Sequence, residues 1–443
     1  MSSHINWVVF AQMVIYNPFL YFPGEWGATA GSKMVQMAAK RGDNWLILIS
    51  IARIALYANF MVYAASLPIL LSEWDMSATQ AGSISSAFMF GYAASLFVFA
   101  WLSDHFGAKR LFLLSAVLSA VSALVFGFFA TSYLSALVLY ALAAATQGGL
   151  YTPAIMLFSE RYDASRRGGA IGYLIASTSV GYAFSLIVSG LCLAWGGYRT
   201  AFIVTGCLPL LGLIMSWYAL RTTPNRIHPR IGRLGITTIL QRNRNVRLLI
   251  AGYTCHCWEL LGMWSWTPAF FAYILAVSGD GFGETARFGA YLVAFMHLIG
   301  ALASASMGRL ADQLGRRVVL IQAAAIGTCL SLVIGWLITW PTMLVVFIGL
   351  VYYFFAIGDS PVLSTALTEV VEPNSLGSIL AVRSLLGFGA GGIAPIFFGA
   401  MLDLTNPPDT APETWGFAFM VLGLGGFAAT LCAIYFQEPV KKR

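Results

Sequence analysis

Long apolar segments, separated by short stretches that contain Gly, Pro and charged residues, make up most of the sequence. Each segment is long enough to cross the roughly 30 Å hydrocarbon core of a bilayer as a helix of about 20 residues. The segments are continuous, unlike the alternating pattern of a membrane β-strand. We therefore predict an all-α polytopic membrane protein with twelve transmembrane helices, numbered here as spans 1 to 12. They cover residues 45–71, 79–101, 110–130, 133–158, 168–194, 198–219, 246–275, 286–308, 318–338, 342–368, 376–402 and 414–436.

The composition favours the same class. Of 443 residues, 59% are hydrophobic and 10% are charged, against roughly 45–50% and about 25% in soluble domains. The cysteines lie inside apolar segments without the spacing of a disulfide framework, so we expect reduced thiols. Cys255, His256 and Cys257 are the one cluster of soft metal ligands, but adjacent residues diverge around a helix. We predict no metal site and no cofactor.

The net charge of +7 raises the question of a nucleic-acid partner, which the distribution of basic residues answers. With a cytoplasmic N-terminus, 21 of the 25 Lys and Arg residues flank the spans on the inner side, and only Arg199 and Arg287 lie on the outer side. Arg53 and Arg383 lie within spans. By the positive-inside rule we expect both termini in the cytoplasm. We also expect the protein to be a multi-pass monomer in the cell membrane, surrounded by lipid. The surplus charge is thus a topology signal, and we expect no nucleic-acid partner.

The spans divide the chain into two bundles, residues 45–219 and 246–436, joined by a basic cytoplasmic linker at 220–245 and followed by a cytoplasmic tail at 437–443. Residues 1–44 form an N-terminal extension whose uncharged stretch 5–23 is interrupted by polar residues. Three interpretations stay open. A signal peptide would need a basic start, a thirteenth span would place the N-terminus outside, and a non-native extension would precede a start at Met34 or Met37.

The two bundles share an internal repeat. Ala100–Arg110 after span 2 matches Gly308–Arg317 after span 8, with Asp104 and Asp312 offset by 208 residues. The same offset aligns residues 152–153 with 360–361, and an offset of 209 aligns Glu160 with Glu369. The chain is therefore one six-helix unit used twice.

At these residues, and over 45–436, the chain resembles the major facilitator superfamily. The loop Gly-x-x-x-Asp-x-x-Gly-x-Arg-Arg is the family's most specific local mark, and the second copy fits it well, whereas Ala100 replaces Gly in the first. The overall texture is similar to the cyanate and nitrate-type permeases of that superfamily. The resemblance implies two pseudo-symmetric bundles that rock about a central site and open alternately to each side.

The resemblance also implies a set of gating residues. Asp104 would face the start of span 11, with Arg383 as partner, and Asp312 would face the start of span 5. A plain role in turns and topology is the alternative for each position. The set comprises Asp104, Gly107, Arg110, Glu160, Arg167, Gly308, Asp312, Gly315, Arg316, Arg317 and Arg383.

Polar side chains within the spans mark a transport path, because lipid penalises them. They concentrate in spans 1, 4, 7 and 10, which by resemblance line the cavity, and are Arg53, Tyr57, Asn59, Gln147, Tyr151, His256, Glu259 and Asp359. We consider them candidates for substrate binding or proton coupling. Aromatic residues at 258, 264, 266, 270 and 271 add a wall to span 7 that either contacts an organic substrate or anchors the span at the interface.

Individual roles follow from charge and spacing. Arg53 is the candidate for binding an anionic group, with Tyr57 on its own face, and Glu259 or Asp359 is the candidate proton carrier. His256 and Glu259 are three residues apart, so a hydrogen bond between them is expected to tune either pKa. Asp359 matches Tyr151 in the repeat, and we expect both helices to kink there. The alternative is an internal salt-bridge network that closes a gate.

We therefore predict a secondary active transporter that works by alternating access, as a proton symporter for uptake of a small organic or inorganic anion. The alternative is a proton-coupled exporter of amphipathic or drug-like compounds, which the aromatic residues favour. Span 5 lacks the Gly-Pro pair typical of such exporters, and span 4 has Ala144 in place of a common Arg. An enzyme is not expected, because no nucleophile with a base, metal set or nucleotide loop is present. A passive channel or a sensor stays open.

Overall fold

The computed structural model describes residues 43–227, 236–278, 282–407 and 413–438. The side chains of residues 164–169, 236–238, 282–283, 305, 373–375 and 377 are outside this description. The described part contains helices and no strands. The helices are α1 (Asn44–Leu56), α2 (Val62–Glu73), α3 (Ala78–Phe106), α4 (Ala108–Phe129), α5 (Tyr133–Gln147), α6 (Thr152–Arg161), α7 (Ala164–Leu220), α8 (Ile236–Arg242), α9 (Arg244–Val277), α10 (Phe282–Leu314), α11 (Arg316–Ile334), α12 (Thr342–Val370), α13 (Pro373–Thr405) and α14 (Gly416–Tyr435). A short 3-10 turn, Gly148–Leu150, separates α5 from α6.

These helices reproduce the twelve predicted spans. Spans 2, 3 and 7 to 12 are single helices, and ten apolar stretches of the described part are long enough to cross a membrane. Spans 5 and 6 are the two arms of α7, whose 57 residues are interrupted by non-helical backbone at Gly196 and Gly197. Gly197 has φ of +66°, in the left-handed region that favours glycine. We call the side of the basic loops the inner side and the opposite side the outer side.

Spans 1 and 4 are each broken in the middle, although a continuous helix was expected for span 1. In span 1 the helix stops at Leu56 and resumes at Val62. The freed backbone groups find side-chain partners, since the Tyr140 hydroxyl donates to the Phe60 carbonyl at 2.6 Å and the Met61 amide donates to Ser185 Oγ at 3.1 Å. Irregular backbone is tolerated at membrane depth where protein groups satisfy it in this way.

In span 4 the break falls at Gly148–Tyr151, in agreement with the kink expected at Tyr151. At Asp359, the other position where a kink was expected, α12 has no such break and runs through Pro361. A Cβ on Gly148 would lie 2.3 Å from the backbone of Ser95 on α3. Glycine therefore allows the irregular part of span 4 to pack directly against span 2.

The two bundles meet where α3 packs against α13, α7 against α10, and α2 against α9. In the outer half of the first contact, the backbones touch directly. A Cβ on Gly82 would lie 2.1 Å from the Pro395 carbonyl oxygen, and a Cβ on Gly399 would lie 2.1 Å from that of Ala78. Small residues of this kind permit close helix packing in membranes, so the outer side is held closed here.

The two copies of the loop motif adopt the same conformation. Gly107 has φ of +86° and Gly315 has φ of +98°. Asn225 caps the first loop, donating to the Phe106 carbonyl at 2.8 Å and accepting from the Arg110 amide at 3.2 Å. Glu438 accepts from the Arg317 amide in the second loop. Each loop is thus capped by a residue that follows its bundle's last span. The linker expected at 220–245 contacts the first loop through Asn225 and is helical in α8.

Candidate functional site

Polar residues from both bundles, all buried except the half-buried Tyr151, form what we call the polar cluster: Arg53, Tyr151, His256, Asp359 and Arg383. Arg53 is the charged residue that the N-terminal bundle contributes to it. It lies nine residues into α1, about 14 Å from the inner end of that helix. The side chain is fully buried. Its guanidinium donates to the Leu174 carbonyl and to Ser177 and Thr178 on α7, the two hydroxyls at 3.2 and 3.0 Å. It also approaches the Tyr57 hydroxyl at 3.4 Å, the contact that the four-residue spacing predicts, so all these partners are neutral.

Arg383 forms the C-terminal half of the cluster and begins deeper in the protein than Asp104, beside which it was expected at the gate. The guanidinium donates to Ser364 Oγ at 2.8 Å and lies 4.0 Å above the centre of the Tyr253 ring. The two residues differ in depth. Arg383 lies ten residues, about 15 Å, inside α13, whereas Asp104 lies two residues, about 3 Å, from the inner end of α3.

Tyr151 lies at the break of span 4. It precedes α6 as the N-cap residue, and its hydroxyl is close enough to interact electrostatically with both Arg383 and Arg53. The N-terminus of α6 carries the positive end of that helix's dipole. Charges from both bundles and one helix end therefore converge on Tyr151.

His256 pairs with Asp359, not with Glu259 as the three-residue spacing suggested. His256 Nδ1 lies 2.9 Å from Asp359 Oδ1, and Nε2 lies 2.7 Å from Ser360 Oγ. Both members of the pair are buried. Residues three apart on a helix point about 60° away from each other, which is enough for His256 and Glu259 to meet different neighbours.

Glu259 is directed into the interior of the C-terminal bundle. The Tyr352 hydroxyl donates to its carboxylate at 3.0 Å and lies 3.1 Å from Ser331 Oγ. Gly426 on α14 makes room for this carboxylate, since a Cβ there would lie 2.3 Å from Glu259 Oε2. The carboxylate thus joins spans 7 and 10 inside one bundle.

Asn59 and Gln147 form the corresponding contact of the N-terminal bundle. Gln147 Nε2 donates to Asn59 Oδ1 at 2.9 Å, and both side chains are fully buried. Asn59 lies in the irregular stretch of span 1, and Gln147 is the last residue of α5. The pair therefore joins the two broken spans at their breaks.

An aromatic layer closes the outer side of the polar cluster. It consists of Phe60, Tyr92, Tyr182, Trp264 and Phe388. Tyr182 stacks on Phe60 with ring centres 4.3 Å apart and meets Trp264 of the opposite bundle at 5.4 Å. Tyr92 meets Phe388 across the same boundary at 5.3 Å. These rings lie between the arginines and the outer surface and connect the two bundles.

Of the aromatic wall expected on span 7, only Trp264 belongs to this layer. Trp266 and Phe270 are buried inside the C-terminal bundle, where both contact Trp415. Trp258 donates to the Val421 carbonyl at 2.9 Å. Sequence reasoning missed Tyr92, Tyr182, Tyr253 and Phe388, because an aromatic residue in an apolar span carries no signal of the face on which it lies.

The gating residues on the inner side are described in part. Arg316 bridges Asp312 and Glu369, the latter at 3.1 Å, which links the loop after span 8 to the end of span 10. Gly308 borders open space. The expected contacts of Asp312 with the start of span 5, and of Glu160 with Arg167, involve side chains outside the described part.

Comparisons with known proteins agree with this architecture. The family model described as Major Facilitator Superfamily matches residues 49–359. A probable sulfoacetate transporter of Cupriavidus necator is 23% identical, over 84% of this chain and 89% of its own length. The cis,cis-muconate transport protein of Acinetobacter baylyi is 24% identical, over 89% and 95% respectively. The crystal structure of the nucleoside transporter NupG superposes with a TM-score of 0.67 at 12% identity, covering 89% of this chain and 99% of that one, and thus shares the fold. The chain belongs to the Major Facilitator Superfamily and is a multi-pass membrane transporter, not an enzyme.

Proposed function

We propose that the protein imports small organic anions together with protons, by alternating access of its two bundles. The observation that carries this proposal is Arg53, a fully buried guanidinium that has only neutral partners among the described residues. A cation inside a membrane is costly unless a counter-charge meets it. A carboxylate or sulfonate of the substrate would supply that charge.

Two further features support an anionic substrate. The N-terminus of α6 lies at the break of span 4, and half-helix ends of this kind attract anionic groups in transporters. The two relatives described above are named for sulfoacetate and cis,cis-muconate, which are both organic anions. The aromatic layer on the outer side suits a substrate with a small carbon skeleton.

The pair of His256 and Asp359 is the proposed proton site. Buried titratable groups inside membrane spans are functional by default, and an imidazole can both bind and release a proton. Two serines on α12, one contacted through its hydroxyl and its backbone carbonyl, connect the pair to the arginine of its bundle. His256 contacts Ser360, whose carbonyl accepts from Ser364 at 2.8 Å, and Ser364 accepts from Arg383. Proton binding at His256 is thereby felt at the anion site.

Uptake into liposomes tests this function. The purified protein, reconstituted with a more acidic exterior, is expected to accumulate labelled sulfoacetate or cis,cis-muconate above the external concentration. Arg53→Gln is expected to abolish accumulation, whereas Arg287→Gln, at an outer position paired with Glu284, serves as the matched control. Equal accumulation with and without the pH gradient would contradict proton coupling. Efflux of amphipathic compounds without uptake of either acid would favour the exporter.

A further inference from the structure

Two buried guanidinium groups, one from each bundle, lie at the same depth in the protein. Arg53 is nine residues from the inner end of α1 and Arg383 is ten residues from the inner end of α13, or about 14 and 15 Å. Both guanidinium groups lie within electrostatic range of the Tyr151 hydroxyl. Phe388, five residues or about 7.5 Å outward of Arg383 on α13, meets Tyr92 of the other bundle with ring centres 5.3 Å apart. The two bundles are therefore in contact just outside the level of the arginines.

Neither arginine is neutralised within the described part of the chain. Arg53 is bonded to hydroxyls and a backbone carbonyl, and Arg383 to Ser364 and the Tyr253 ring. The Nε atom of each is buried and has no hydrogen-bond partner among the described residues. Because hydrogen bonds to an ionised acceptor are about twice as strong as those to a neutral one, an acidic group would readily replace the present partners.

We propose that the substrate carries two acidic groups, one bound by Arg53 and the other by Arg383, with Tyr151 between them. This inference rests on the proposed function and narrows its substrate class from organic anions to dianions. Such a substrate binds both bundles at once, so its presence favours the conformation in which they close around it. A monoanion leaves one guanidinium without a negative partner and does not link the two bundles.

The charge balance links the dianion to the proton. Among the described residues of this region, two are acidic. The Glu259 carboxylate is turned into the C-terminal bundle, where it accepts from Tyr352, whereas Asp359 pairs with His256. When that pair holds a proton, its net charge is zero, and the two positive charges of Arg53 and Arg383 equal the charge of a dianion. Without the proton, the pair carries one negative charge and the match is lost. A dianion is therefore bound best together with a proton.

Matched pairs of ligands test the inference at pH 7.5, where all the acids used are ionised. Sulfoacetate is compared with isethionate, in which a hydroxymethyl group replaces the carboxylate, and cis,cis-muconate with its monomethyl ester. Affinities for the purified protein are obtained from ligand-dependent melting temperatures, and transport from counterflow in liposomes. We expect each dianion to bind about tenfold or more tightly than its monoanionic partner.

Variants assign that preference to the two arginines. Arg53→Gln and Arg383→Gln are each expected to reduce dianion affinity by about tenfold or more, with monoanion affinity changing less than about threefold, because one acidic group can use the arginine that remains. If a glutamine variant does not fold, Arg53→Lys or Arg383→Lys replaces it. Lysine retains the charge but cannot bind an acidic group through two parallel hydrogen bonds, so a smaller loss of dianion affinity is expected. Arg287→Gln is the control with unchanged preference.

The outcomes separate this inference from the proposed function. Equal affinity for mono- and dianions, or an unchanged preference in Arg383→Gln, would overturn the dianion site and leave anion transport through Arg53 standing. If no acid of either charge binds, both proposals are wrong.

Discussion

The carboxylate of Asp403, near the outer end of α13, lies 2.8 Å from the backbone nitrogen of Thr79 in the first turn of α3. It also accepts from the Thr79 hydroxyl and from the Ala78 amide. A negative charge at a helix N-terminus is stabilising by roughly 0.3–2 kcal/mol, depending on burial. Since α3 and α13 belong to different bundles, this contact stabilises the conformation in which the outer side is closed.

Asp403→Asn is expected to shift the protein toward a state open to the outer side. The amide keeps one acceptor oxygen, replaces the other with an NH2 group that cannot accept from a backbone amide, and loses the charge. A loss of about 1 kcal/mol already changes the ratio of the two states about fivefold. Spin labels at Thr131 and Val277, on the outer ends of opposite bundles, would report the change as a larger population of long distances. Glu284→Gln is the control, because Glu284 is also an outer carboxylate but pairs with Arg287 of its own helix rather than with the other bundle. Identical distance distributions would show that Asp403 does not contribute to closure.

Gly399→Ala is expected to disrupt the same contact by steric means. The added methyl group would lie 2.1 Å from the Ala78 carbonyl oxygen, so α3 and α13 must separate. Overpacking of this kind costs about 1–3 kcal/mol. Gly389→Ala provides a matched control in the same helix, since a Cβ there meets nothing within 4 Å. Melting temperatures should fall for the first variant only, and an equal change in both would contradict the predicted contact.

Asp359→Asn is expected to uncouple transport from the proton. The variant should lose accumulation driven by a pH gradient but retain counterflow exchange of the anion, because the arginines remain. Glu259→Gln, which changes a carboxylate hydrogen-bonded to Tyr352 inside the same bundle, should retain accumulation. The two variants are compared in the liposome assay described above. If Glu259→Gln loses accumulation and Asp359→Asn does not, Glu259 is the proton carrier instead.

Hydropathy and the loop repeat were sufficient for the number of spans and for the family, because these depend on segment lengths and on short contiguous motifs. The polar cluster was predicted as a set of residues, but not how they pair. The rotation of α9 determines that His256 meets Asp359 while Glu259 meets Tyr352, and spacing along one helix does not fix that rotation. Arg383 was predicted at the gate from the loop motif of the family, which carries no information on the depth of a partner in another span. The break in span 1 depends on Tyr140 and Ser185, which are distant in sequence.

Glu413, in the segment that leads into α14 on the outer side, predicts a pH dependence of stability. Burial raises the pKa of its carboxyl group above the ordinary value of 4.5, although a hydrogen bond from Trp415 Nε1 at 3.1 Å acts in the opposite direction. A carboxyl group whose pKa is raised by folding holds its proton more tightly in the folded state, so its contribution is favourable at low pH and is lost as the pH rises through the folded pKa. Glu413→Gln, which keeps the hydrogen bond to Trp415 but has no charge, is therefore expected to match the wild type at pH 4 and to exceed its melting temperature at pH 8. Glu73→Gln, at an exposed position near the outer end of α2, is the control. If the Glu413→Gln variant melts at a lower temperature than the wild type at pH 8, the ionised carboxylate stabilises the fold and the prediction is wrong.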